Sequence, residues 1–73
     1  MLKLGTKCRV LADSYNKFKP GDIVVALENS HIPLCCLLED YDPNKSIYDY
    51  NINSFNALTE SELEVLDDDR AEK

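Results

Sequence analysis

Two adjacent cysteines, Cys35 and Cys36, run into a string of carboxylates and tyrosines in "LCCLLEDYDPNKSIYDYN", residues 34–51. Thiols, a single histidine (His31) and paired acids are the residue types that catalysis or metal binding would use. Consecutive residues of a strand point to opposite faces, so Cys35 and Cys36 cannot chelate one ion together. Cys8 completes an odd set of three with no CxxC spacing. A cysteine in an apolar run is held as the thiol by burial, which disfavours a nucleophilic thiolate. A Cys/His pair would also need His31 within hydrogen-bond reach and a third group to orient it. Asp40, Asp42 and Asn44 echo the opening of a calcium loop, but Lys45 stands where that loop needs glycine and Asn51 where it needs a bidentate glutamate. Turn chemistry accounts for these residues instead. With only Gly5 and Gly21 there is no phosphate-cradling loop. The sequence therefore leads us to expect no enzyme, no metal and no cofactor.

The elements that carry these residues read as strands. In "TKCRVLAD" (6–13), Cys8, Val10 and Ala12 alternate with Lys7, Arg9 and Leu11. "SYNKF" is a loop, and "KPGD" a turn in which Pro20 fixes φ and Gly21 takes a positive one. "DIVVALE" (22–28) is β-branched and alternating, and "ENSH" is a tight turn. "IPLCCLLED" (32–40) is apolar on both faces, which predicts a strand covered by the core on one side and by a loop or partner on the other. "YDPNK" (41–45) predicts a hairpin loop. "SIYDYNI" (46–52) predicts the return strand, with Tyr48, Tyr50 and Ile52 on one face. "TESELEVL" (59–66) carries two signals. Thr59 with Glu62 is a capping-box pattern that could open a helix, and the competing reading is one short turn followed by a terminal strand.

In order, these segments resemble a small SH3-like β-barrel. "KPGDIVVAL" follows a long first loop, and "TESELEVL" matches a tail that makes one 3-10 turn before a closing strand. The resemblance covers about residues 5–66 and favours turn plus strand in the tail. It implies an all-β fold of about five antiparallel strands, with residues 1–66 as one domain and 67–73 as a frayed acidic tail. A chain of 73 residues buries only about 60% of its unfolded surface. A disulfide, metal or partner usually supports such a domain, and the two-sided apolar strand 34–38 suggests self-contact as a homodimer.

The net charge is −6 and unevenly spread. Residues 1–19 hold five bases and one acid, whereas 22–69 hold twelve acids and one base, Lys45. This disfavours direct contact with nucleic acid or an anionic membrane and favours a basic protein surface. No apolar run reaches the ~20 residues of a membrane span, and the absence of a signal peptide predicts a cytoplasmic protein with reduced thiols. Two residue sets stand out as partner-binding candidates. One is acidic: Glu39, Asp40, Asp42 and Asp49 on the hairpin, and Glu60, Glu62, Glu64, Asp67, Asp68 and Asp69 on the tail. The other is an aromatic patch of Tyr41, Tyr48, Tyr50 and Phe55, which would serve an adaptor binding a peptide or complex subunit. Carboxylates on alternate strand residues recur every ~6.6–6.8 Å, close to the phosphate repeat of one nucleic-acid strand, so such rows can occupy a basic DNA-binding surface. A short, acidic, Tyr- and Asn-rich chain with unpaired-looking cysteine spacing also resembles the small host-takeover proteins of bacteriophages. That resemblance implies a viral inhibitor that mimics DNA and blocks a host nucleic-acid-binding protein, an HU-like nucleoid protein being the natural candidate.

Overall fold

A computed structural model describes residues 1–66. β1 (Lys7–Val10) alternates as its sequence predicts: Lys7 and Arg9 are exposed, Cys8 and Val10 buried. It ends earlier than the pattern suggests, because Asp13 captures the chain. The buried Asp13 carboxylate accepts the backbone N–H groups of Tyr15 (3.0 Å), Lys17 (2.9 Å) and Phe18 (2.9 Å). This local alternative to a ladder turns Ala12 out to solvent and drops Phe18 into the core. Gly21 closes the following turn at φ 97°. β2 (Ile23–Ala26) and β3 (Leu34–Leu37) then form the middle of the sheet.

The sheet is antiparallel throughout, with β4 (Phe55–Ala57) and β5 (Leu63–Val65) at its ends in the order β4-β3-β2-β1-β5. Five antiparallel strands, no α-helix among the described residues, and a 3-10 turn (Glu60–Glu62) before the last strand match the expected all-β class, strand number and tail turn. Thr59 and Glu62 do form their capping pattern, with Thr59 N–H on Glu62 Oε1 at 2.9 Å, but it caps this single turn. No ladder joins β4 to β5 among the described residues. The inner face gathers Cys8, Val10, Val24, Ala26, Cys35 and Leu63 from the strands into one core, which Phe18 and Leu58 from the connecting segments complete.

β3 is buried on both faces, as its sequence requires. Cys35 joins the inner core, whereas Cys36 points outward into a second cluster with Leu27 and Tyr50, flanked by Tyr41, Ile47 and Phe55. The chain thus covers its own two-sided strand, which removes that strand as a reason for self-contact.

The cover is the segment 38–54, where the structure departs from expectation. Residues 46–52 form no return strand. Three 3-10 turns occupy the segment (Leu38–Asp40, Ile47–Asp49 and Ile52–Ser54), and the strand that pairs with β3 begins only at Phe55. Short polar side chains divert the backbone. Asp49 Oδ2 accepts Ser46 N–H at 2.9 Å, Asn51 Oδ1 accepts Asn53 N–H at 2.8 Å, and Ser54 Oγ donates to Asn51 O at 2.6 Å. Tyr48, Tyr50 and Ile52 therefore do not share a face: Tyr50 is 9% exposed, Ile52 77% and Tyr48 93%.

Candidate interaction surface

The segment 38–54 is fastened from beneath. The Tyr50 hydroxyl donates to Asp42 O (3.0 Å) and accepts Asp42 N–H (2.8 Å), pinning one end of the loop to the other. Lys45 Nζ lies 5.3 Å from the centre of the Tyr50 ring, a cation–π contact. The hydroxyl of Tyr41 approaches the backbone at Gly5, where a Cβ would sit 3.7 Å from it. Lys17 Nζ donates to Asn53 O and ties the segment to the first loop. With its underside packed, the segment displays Leu38, Tyr48 and Ile52 together with the exposed carboxylates of Glu39, Asp40 and Asp49.

The candidate aromatic patch is divided by this arrangement. Tyr41, Tyr50 and Phe55 pack together around Cys36, while Tyr48 stands clear of them in solvent. Three of the four rings are thus committed to the protein's own packing.

The acidic set also separates into groups with different electrostatics. Asp42 Oδ1 accepts Asn44 N–H at 2.9 Å, the turn chemistry that its sequence suggested. Glu60 Oε2 meets the Met1 ammonium at 3.1 Å and His31 Nδ1 at 3.0 Å. The ammonium first, and His31 second, hold its carboxyl below the ordinary 4.5. Glu62 accepts backbone N–H groups from Thr59 (2.9 Å) and Ser14 (3.1 Å), which lower its carboxyl likewise. Glu64 Oε1 pairs with Arg9 at 2.6 Å across the β1–β5 ladder. The tail acids that the structure describes are therefore engaged within the chain, Glu60 and Glu62 on the 3-10 turn before β5 and Glu64 on β5 itself, the strand farthest from β4 in ladder order. Asp67, Asp68 and Asp69 lie outside the described residues. Among the described residues, Glu39 and Asp40 take no hydrogen bond or ion pair, so their charge faces solvent unneutralised.

The thiols are sealed away. Burial, and secondarily the neighbouring Cys8, pushes the Cys35 thiol from 9.0 up to about 12. Burial, with Asp40 adding to it, pushes Cys36 up to about 11. Both are protonated at neutral pH and poor nucleophiles. Cys35 Sγ donates to Pro33 O at 3.4 Å, whereas His31 is on the surface with Glu60. Among the described residues, no three His, Cys, Asp or Glu side chains converge as metal ligands would. A shallow cleft of about 340 Å³ is lined by Met1, Leu2, Lys3 and Thr6, none of them a candidate residue. No helix among the described residues is long and apolar enough to cross a membrane.

Sequence reasoning passed over Asp13 and the exposed pair Leu38 and Ile52. Asp13 had a usable signal, since an aspartate opening a polar loop commonly collects the backbone N–H groups that follow it. Leu38 and Ile52 had none, because their exposure follows from the three 3-10 turns. The fold and this surface define a small all-β domain with a decorated loop. Comparison with known proteins finds no family model, no curated protein and no solved structure that matches the chain.

Proposed function

We propose that this chain is a non-enzymatic protein-binding module whose contact surface is segment 38–54, and that its partner is a basic protein surface evolved for nucleic acid. The observation that carries the reading is the exposure of Tyr48, 93%, on a segment whose other rings are packed down and whose Glu39 and Asp40 are unneutralised. An aromatic anchor beside carboxylates suits a surface of Arg and Lys. The ring stacks on guanidinium planes, and the carboxylates take the forks that otherwise hold phosphate.

In this reading the chain acts as an acidic decoy for DNA, and inhibition of a nucleic-acid-binding protein is its effect. The decoy charge is concentrated on Glu39 and Asp40, with Asp49 in the same segment, and excludes the tail acids: Glu60 and Glu64 are paired with cations of the chain, and Glu62 is turned onto the backbone N–H groups of Thr59 and Ser14. An adaptor built on the full aromatic patch is less well supported, because Tyr41, Tyr50 and Phe55 are occupied.

The test is direct binding to an HU-like nucleoid protein, the representative basic partner, at about 50 and 200 mM salt, with duplex DNA as competitor. The decoy reading expects binding that weakens steeply with salt, is displaced by DNA, and falls at least about tenfold for Tyr48→Ala and for the pair Glu39→Gln with Asp40→Asn. Salt-insensitive binding, or binding that coexists with DNA, would refute it.

A further inference from the structure

Among the described residues, one buried side-chain polar atom lacks a hydrogen-bond partner: Nδ2 of Asn56, in the centre of β4. A buried amide donor left unpaired is costly, and natural chains rarely keep one without a use for it. Asn56 sits at the end of the sheet. β4 takes ladder hydrogen bonds from β3 alone, and the register sets which of its backbone groups are used. Leu58 N–H bonds Pro33 O, so the alternation of an antiparallel ladder directs the Asn56 N–H and C=O to Cys35. The N–H and C=O groups of Phe55 and Ala57 therefore point away from the sheet, along an open edge.

That edge is short, but it lacks the protections of charge and proline. Edge strands are normally blunted by charge or proline, yet residues 50–59, "YNINSFNALT", contain no charged residue and no proline. The opposite edge is defended. On β5, Leu63 and Val65 point their backbone groups outward, and Glu64 lies between them. Self-pairing there would set Glu64 directly against its own copy, a like-charge contact that destabilises a ladder.

We propose that β4 pairs antiparallel with β4 of a second copy of this chain, about a two-fold axis at Asn56. The arrangement is self-complementary. Phe55 of each copy exchanges N–H···O=C bonds with Ala57 of the other, giving four inter-chain hydrogen bonds in two reciprocal pairs. Asn56 falls at the non-hydrogen-bonded position, where facing side chains approach closest. There the two amides face each other, and after a side-chain rotation Nδ2 of one donates to Oδ1 of the other. The partner thus supplies what the isolated chain lacks. Only three residues pair, so the dimer is weak and forms at high concentration.

The experiment is sedimentation of the whole chain, with residue-resolved amide exchange, at about 10 μM and about 1 mM. The expected result is a monomer–dimer equilibrium in which the Phe55 and Ala57 amides exchange severalfold more slowly at the higher concentration. The Asn56 amide, bonded within the chain, is equally protected at both. Ala57→Pro removes an N–H that serves no bond inside the chain. It deletes two of the four inter-chain bonds and weakens association by about twenty-five-fold, roughly fivefold for each bond. If that variant does not fold, the exchange comparison on the natural sequence still decides. A chain that stays monomeric at about 1 mM, or one that associates with protection at Leu63 and Val65 instead, overturns the proposal.

Discussion

Replacing Tyr50 with phenylalanine isolates the polar lock that holds segment 38–54. The ring is 9% exposed and packs in the outer cluster beside Cys36 and Leu27, so Tyr50→Phe keeps the apolar contacts. It removes only the hydroxyl, and with it the bonds to Asp42 O at 3.0 Å and from Asp42 N–H at 2.8 Å. A hydrogen bond is worth about 0.5–1.5 kcal/mol net, and both partners belong to a half-buried residue that water reaches in part. The pair therefore amounts to about 1.5 kcal/mol, roughly a tenfold change in the folding equilibrium. For a domain of this size each kcal/mol moves the melting point by about 4–8 °C, so Tyr50→Phe melts about 6–12 °C lower. The assay is thermal unfolding followed by far-ultraviolet circular dichroism, with urea denaturation to verify an unchanged m-value. Tyr48→Phe is the control, because its ring is solvated and the same chemical change there costs nothing measurable. A Tyr50→Phe melting point within about 2 °C of the parent would refute the lock and leave the apolar cluster alone to order the segment.

Three further outcomes follow from the same geometry. Asp13→Ala strips three backbone N–H groups of their acceptor and is expected to cost about 3 kcal/mol in a urea titration, whereas an exposed acid such as Asp40 should be replaceable within about 0.5 kcal/mol. The Glu60 and Glu62 carboxyls are held below 4.5 in the folded chain, so the stability they contribute is present above that value and is lost as pH falls through their lowered folded values. Glu62→Gln should therefore flatten the acid limb of a stability–pH curve, and an unchanged limb would contradict the capping role. The Cys35 and Cys36 thiols are raised from 9.0 to about 12 and about 11, so their contribution is full below pH 9 and is lost as pH rises through those folded values. Maleimide labelling of these two thiols in native buffer should track global unfolding, and fast labelling of either at neutral pH would show that the burial is wrong.

The sequence determined the strands that alternate and the turns that punctuate them. Cys8 and Val10 against Lys7 and Arg9 and the positive φ at Gly21 were written in local pattern, because period-two burial and turn chemistry act over a few residues. At 59–66, by contrast, local pattern left a helix and a turn plus strand open, and the resemblance to an SH3-like barrel favoured the turn plus strand that forms. Even the unusual composition of 34–38 stated that β3 needs cover on both faces. What supplies that cover was a tertiary decision. "SIYDYNI" alternates like a strand, yet Asp49, Asn51 and Ser54 close 3-10 turns on themselves, and Tyr50 folds down onto Cys36 and Asp42 while Tyr48 is left in solvent. Charge could be counted in the sequence but not assigned. Glu60, Glu62 and Glu64 find an ammonium, backbone N–H groups and Arg9 only because the ladder and its connecting turns bring distant segments together. A carboxylate's effect depends on what lies within a few ångströms of it, and that neighbourhood is set by the strand register and by where the turns and the N-terminus lie against it.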